Sequence, residues 1–279
     1  MQICGRDFSD GELEWIRSRI GEKVSRTELS RLFCSHTGWV KSNGGLKDMS
    51  CRTALVKLEQ KGLIELPKAR HRFSLPRIQR TLLGEPVKPF ELKAGVVELS
   101  LETVDKKTSS LWNELIDRYH YLGYSRLAGA QMRFYVYASG ELVALLGFSS
   151  AAWKVAPRDN FIGWSRTQRQ KNLHLIVDNS RFLILPWVHC KYLASRILSQ
   201  AARRLPPLWE KRYGYRPLIL ETFIDKSRFE GTCYKASNWV YVGDTQGRGK
   251  WDRNNLREKP VKGIWLYPLH RNFKEPLCR

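Results

Sequence analysis

The sequence predicts an α+β protein in two bodies, and three observations carry that expectation. Apolar residues recur at helical spacing in three segments before residue 60 and then alternate at strand spacing. Beyond residue 95, strand-like and helix-like runs interleave, as in a sheet covered by helices. Between them the chain holds Pro86 and Pro89 and shows no period. The expected boundaries are 1–76, a linker over 77–94, and 95–279.

Charge follows the same division. The chain carries 48 Lys+Arg against 27 Asp+Glu, a net charge of +21, distributed as +7 over residues 1–80, −1 over 81–110 and +15 over 111–279. A surplus of this size either neutralises a polyanion or repels itself, which makes nucleic acid the first partner to consider. An apolar content of 42% with 11% aromatics excludes a disordered basic tail. Six cysteines without any Cys-x-x-Cys spacing, and no signal peptide or long apolar run, point to a soluble protein of the reducing cytoplasm with no membrane contact. His189 and Cys190 are adjacent and lack a second ligand pair, so no metal site is expected.

Ser9 and Glu12 form a reciprocal capping pattern ahead of Leu13, Ile16 and Ile20, which predicts a helix over 10–20. Ser25 and Glu28 repeat it for a helix ending near His36, with Gly38 as its stop. Asp48 is placed to cap a third helix whose Cys51, Ala54, Leu55 and Leu58 face inward and which Gly62 closes. Residues 63–66 then alternate as a strand, and 73–75 alternate again. Three helices followed by a hairpin is the winged-helix order. Its outward helical face would present Ser50, Arg52, Thr53 and Lys57 to a major groove, and its tip would present Lys68, Arg70 and Arg72 to phosphates. A solvated face or a protein-docking surface is the competing reading.

In the second body, strands are expected from residue 96, over 133–137 and 142–148 joined through Ser139-Gly140, and over 181–185 and 218–220. Helices are expected around Leu111, Leu115 and Ile116 and over 192–205. The closing order of strand, helix, strand and the Tyr234 to Gly243 segment resembles the second half of the GNAT acetyltransferase fold. That resemblance implies a glycine-rich pyrophosphate loop where this chain has His189 to Ala194. Tyr192 stands in the place of its first glycine, so the resemblance implies a lost acyl-coenzyme A site and no cofactor.

Longer strings resemble one family: Arg118 to Gly123, Ile162 to Ser165, Asn179 to Pro186, Glu221 to Asp225, Gly231 to Trp239 and Gly247 to Gly249. Together they look like the DruA component of the Druantia anti-phage defence systems. The resemblance implies a winged helix joined to a degenerate GNAT-like domain, working with other defence proteins such as a helicase. Related domains also occur beside transposase-like proteins.

Three sets of residues are candidates for chemistry. Glu221 and Asp225, at i and i+4 near a strand end, would share a face, with Asp159 or Glu114 as a third carboxylate and magnesium as the ion of a nuclease or strand transferase. Tyr234 stands where GNAT enzymes often place a general acid and would serve equally as a nucleophile beside His120, or as an aromatic core residue. Two Trp/Arg segments, Trp164 with Arg166, Arg169 and Lys171, and Arg248, Lys250, Trp251 and Arg253, suit phosphates and an unpaired base. The reading is a DNA-binding defence component rather than an enzyme. A magnesium-dependent, DNA-cleaving or transposase-like enzyme using Glu221 and Asp225 is the alternative.

Overall fold

The computed structural model describes residues 2–20, 22, 24–41, 44–68, 78–92, 98–127, 129–247 and 260–279. The chain divides into two compact units, Met1–Pro76 and Arg77–Arg279.

The first unit opens with a short antiparallel ladder, β1 (Gln2–Ile3) and β2 (Arg6–Asp7). Two-residue strands carry no period, and the sequence reading misses them. α1 (Asp10–Ile20) starts at the reciprocal cap: the Glu12 N–H donates to Ser9 Oγ at 3.3 Å and the Ser9 N–H to Glu12 Oε2 at 3.1 Å. Ser25 caps α2 (Arg26–His36) through the Glu28 N–H, and Gly38 takes the left-handed conformation just past its end. α3 (Asp48–Gln60) buries Cys51, Ala54, Leu55 and Leu58 in one cluster with Leu13, Ile16, Leu29 and Phe33.

Asp48 does not cap α3. It is the first helical residue, and its carboxylate lies 3.5 Å from Arg52 one turn on, leaving Lys47 at the cap without a side-chain bond. Ile64 and Leu66 are buried and Glu65 exposed, as alternation requires, yet 63–66 is not paired as a strand among the described residues. The Leu66 N–H instead donates to Glu59 Oε1 at 2.9 Å. The expected second strand, 73–75, lies outside the described residues.

The second unit runs β3 (Phe90–Glu91), β4 (Leu99–Thr103), α4 (Ser109–Tyr119), β5 (Gln131–Ala138), β6 (Glu141–Ser150), α5 (Ala156–Ile162) and α6 (Arg166–Asn172). It continues through β7 (Ile176–Ile184), β8 (Val188–His189), α7 (Leu193–Tyr213), β9 (Ile219–Asp225), α8 (Thr232–Ala236), β10 (Val240–Asp244), β11 (Lys262–Pro268) and α9 (Lys274–Leu277). Residues 78–92, read as linker, pack onto this unit. The Thr81 N–H and hydroxyl both donate to buried Glu114 at 2.7 Å, Tyr119 donates to the Gly84 carbonyl at 2.8 Å, and β3 pairs in parallel with β8. Two- or three-residue elements leave no period to read.

Among the described residues the main sheet has the order β10-β11-β9-β7-β6-β5-β4. Its neighbours are antiparallel except β7 and β9. Successive residues feed opposite faces. Val177 and Leu220 join the core beneath α4 and α7, whereas Ile176 and Ile219 join the core beneath α5, α6 and α9. Gly147 on β6 admits the Trp112 indole, since a Cβ there would lie 3.2 Å from the ring.

α7 runs past the expected stop at Leu205 and through Pro206 and Pro207 to Tyr213. An interior proline costs about 3 kcal/mol in lost bonding and ring clash. Burial offsets it here: Leu205, Pro206 and Trp209 extend the apolar stripe of Leu198, Ala201 and Ala202 by another turn. The Trp164 segment, read as a loop, enters α6 through a capping box in which Ser165 and Gln168 bond each other's backbone. The six cysteines are free thiols. No helix among the described residues is long and apolar enough to cross a membrane.

Candidate functional site

β7 and β9 pair only over Ile176–Asp178 and Ile219–Glu221. Past that point a cavity of about 1340 Å³ opens, lined on one side by residues 178–184 and on the other by 222–224. Ser180 is an extra residue in β7: Gly147 faces Arg181 and Phe148 faces Asn179, so the bulge interrupts the alternation beside the cavity. His120 and Tyr121 from the end of α4, Arg228 and Phe229 from the turn after β9, and Lys262 of β11 also line it.

Two carboxylates meet where β7 and β9 part, in opposite circumstances. Glu221 is fully buried, accepts from Arg158 Nη1 at 2.9 Å and from the Ala152 N–H at 3.0 Å. Arg158, itself fully buried, also binds Asp159, which in turn binds Arg169 at 3.0 Å. Asp178, paired in register with Glu221, has a buried Oδ1 with no hydrogen-bond partner. Burial and the neighbouring Glu221 charge push the Asp178 carboxyl well above the usual carboxylate range. Burial also raises Glu221, but Arg158 and the Ala152 N–H favour its charged form.

The rest of the cavity is lined by cationic, aromatic and apolar side chains, with Glu230 adding one carboxylate beside Phe229. Arg181 is nearly buried and donates to Ser125 Oγ at 2.7 Å. Burial, with Arg181 and Lys262 nearby, lowers His120 to about 4, which keeps its ring neutral at pH 7. Arg228 lies 5.0 Å from the Tyr121 ring centre, and Phe229, 48% exposed, meets Tyr121 edge to face at 5.2 Å.

The residues expected to form a metal centre lie apart. Glu221 and Asp225 do not converge on one ion: four residues of strand separate them by about 13 Å, and Asp225 accepts from Ser227 while Glu221 faces Arg158. The expected third carboxylates are held elsewhere, Asp159 by Arg158 and Arg169, Glu114 by Thr81 and Arg118. Among the described residues no group of three His, Cys, Asp or Glu is gathered to hold a metal. Tyr234 is buried and donates to Asn179 Oδ1 at 2.8 Å, and burial pushes its phenol up, away from use as a nucleophile.

Trp164 is not available for base stacking, being buried under the Arg158 guanidinium, and Arg169 is committed to Asp159. Arg166 and Lys171 are exposed on α6. On α3, Ser50 and Thr53 are exposed and Arg52 and Lys57 half-buried; Lys68 is exposed. Arg70, Arg72, Arg248, Lys250, Trp251 and Arg253 lie outside the described residues.

Sequence reasoning missed Asp178, Arg181, Arg228, Phe229 and Lys262, which topology alone brings together. It also missed Arg196, Arg203 and Arg204, which line a groove of about 650 Å³ along α7 with Ser195, Ser199 and Gln200. Their signal was present: they stand off the apolar stripe at helical spacing. At the start of α7, Tyr192 takes the left-handed conformation, φ 62°, with its side chain 74% exposed. A residue with a full side chain at the helix entrance does not fit close backbone approach to a pyrophosphate.

Solved structures similar to this chain include a GNAT-family acetyltransferase from Streptococcus pneumoniae, at 11% identity, covering 62% of this chain and 100% of that one, TM-score 0.41. An N-acetyltransferase from Staphylococcus aureus (11%, 62% and 98%, 0.36) and a Bacillus subtilis acetyltransferase in complex with CoA (10%, 62% and 100%, 0.37) are similar to the same degree. A likeness at this level carries no activity to this chain. No curated protein matches it. The family model of the Druantia protein DruA matches residues 57–259, well over half of the sequence, and the chain belongs to the DruA family.

Proposed function

We propose that this chain is the DNA-binding component of a Druantia defence system, recognising DNA for a multi-protein assembly without cleaving it and without an acyl-coenzyme A cofactor. The observation that carries this reading is the surplus of 21 positive charges on a folded chain whose carboxylates are widely engaged internally. Glu12, Glu59, Glu114, Asp117, Asp159, Glu221 and Asp244 each already hold a cation of the chain. The surplus is therefore left for an external polyanion, and phosphate neutralisation is its most favourable use.

In this reading the α3 face with Ser50, Arg52, Thr53 and Lys57, with Lys68 beyond it, serves as a winged-helix surface on duplex DNA. The Arg203 and Arg204 groove along α7 follows a phosphate backbone in the second unit. Helicase or nuclease work falls to partner proteins, in keeping with the family's place in a multi-protein system.

The test is electrophoretic binding of the purified chain to single-stranded, duplex and forked DNA with magnesium present, the recovered DNA being run on a denaturing gel. Retarded, intact DNA is the expected result. Cut DNA would replace this reading with an enzyme, and no complex with any form at low salt would remove it.

A further inference from the structure

We propose that the cleft where β7 and β9 part is a pocket for one unpaired nucleotide of a DNA strand, its base stacked on the exposed ring of Phe229, which Tyr121 supports edge to face, and its phosphates held by Arg228 and Lys262. This deepens the DNA-binding reading and rests on it.

Two features of the cavity wall converge on a nucleotide. Phe229 leaves nearly half its surface in solvent at the cavity wall, packed edge to face on Tyr121. An exposed phenyl ring is unfavourable in water and becomes favourable under a flat apolar ligand. The Arg228 guanidinium beside both rings, and Lys262 on β11, supply positive charge for an anionic backbone. The aromatic pair with adjoining cations is the arrangement that binds unpaired strands, where stacking contributes about 1–3 kcal/mol per base.

Two further lining residues bring different chemistry. Asp178 brings a buried, unpartnered oxygen and His120 a ring held neutral by its burial and by Arg181 and Lys262. The unpartnered Asp178 oxygen is a hydrogen-bonding group in want of a partner, and His120, whose Nδ1 accepts the Leu122 N–H at 3.2 Å, presents its Nε2–H as a donor. They match the polar edge of a base, while the exposed Arg228 guanidinium and the Lys262 ammonium match phosphate. Paired bases cannot reach such a recess without leaving their stack, so the pocket selects an unpaired or extruded one.

The experiment uses the full chain and two short single strands carrying a fluorescent end label, identical except that one central nucleotide is abasic. Wild type is expected to bind the base-bearing strand roughly tenfold more tightly, the effect of one stacked base. Phe229→Ala removes the preference while phosphate contacts retain the strand; Phe229→Tyr keeps it. Phe229 is exposed, so folding is not at stake, and circular dichroism of each variant verifies it. A strand carrying 2-aminopurine at the same position reports entry directly, through a fluorescence change that Phe229→Ala abolishes. Equal binding of both strands by wild type, or an undiminished preference in Phe229→Ala, would overturn the pocket and leave DNA binding standing. Failure to bind either strand would instead remove the reading beneath it.

Discussion

Glu221 and Asp178 face each other in register on neighbouring strands, yet one is fully engaged and the other has an unpartnered oxygen. Glu221 is neutralised by Arg158, bonded by a backbone N–H, and joined through Asp159 to Arg169 under Trp153 and Trp164. The network satisfies both Glu221 oxygens and fastens α5 and α6 to the sheet, although the buried Arg169 Nε has no hydrogen-bond partner and lines no part of the cavity. Asp178 lines a cavity with aromatic and cationic walls. Buried charge alone therefore does not mark a functional residue; an unmet hydrogen-bonding group beside open volume is the better sign.

The largest effect should come from breaking the network around Glu221. Glu221→Ala leaves Arg158 and Arg169 sharing the single carboxylate of Asp159 in a dry site, one positive charge in excess, and equilibrium denaturation should show a loss of about 3–5 kcal/mol. The double variant Arg158→Met, Glu221→Leu should recover much of that loss, because the two opposite charges leave together and Asp159 stays paired with Arg169. If the single and double variants were equally damaging, the network would not be the fastening described.

Crowding the other side of the sheet should cost less. Gly147→Ala puts a Cβ 3.1 Å from that of Arg181 and 3.2 Å from the Trp112 ring, and overpacking of this kind costs about 1–3 kcal/mol. A Tm unchanged from wild type would show that the indole has room to move.

Asp178→Asn sharpens the comparison in the opposite direction. The folded pKa of Asp178 is raised, so its contribution is fully present below the unfolded value and is lost as pH rises through the folded one. The groups around it, Glu221, Arg158, Arg181 and Lys262, remain in the variant. Asparagine keeps the shape without the ionisation. The variant should be more stable than wild type near neutral pH, and the advantage should vanish at acid pH. His120 acts in reverse: with its pKa lowered to about 4, wild-type stability should fall as pH drops from 6.5 towards that value, and His120→Gln should flatten the fall. Denaturation midpoints at a series of pH values test both.

The smallest effect concerns the surface. Arg203→Ser with Arg204→Ser should leave the fold intact and weaken DNA binding across sequences, lowering the salt slope by about 1 for each phosphate that is no longer neutralised.

How much of this was legible follows from what leaves a pattern in one dimension. Helix starts at Ser9 and Ser25 were readable because a cap and its partner lie three residues apart. The β5–β6 hairpin was readable from Ser139-Gly140 between alternating runs. The stop expected at Leu205 fell short, because burial of Trp209 sustains α7 through Pro206 and Pro207. Glu221 was noticed as a carboxylate near a strand end, but its partner Arg158 lies 63 residues away, and that distance hid the pairing. The cleft was illegible for the same reason. His120, Asp178, Arg228 and Lys262 come from four separate elements or turns, and the parting of β7 from β9 brings them together.

The measurement that tests the account most directly is the affinity of the intact chain for a labelled single strand, read by fluorescence anisotropy across a salt series. A chain whose surplus charge serves to neutralise phosphates should give log K falling linearly with log salt, with a slope of about −0.7 for each phosphate neutralised and a total reflecting several phosphates. Absence of binding at low salt, or an affinity indifferent to salt, would contradict it.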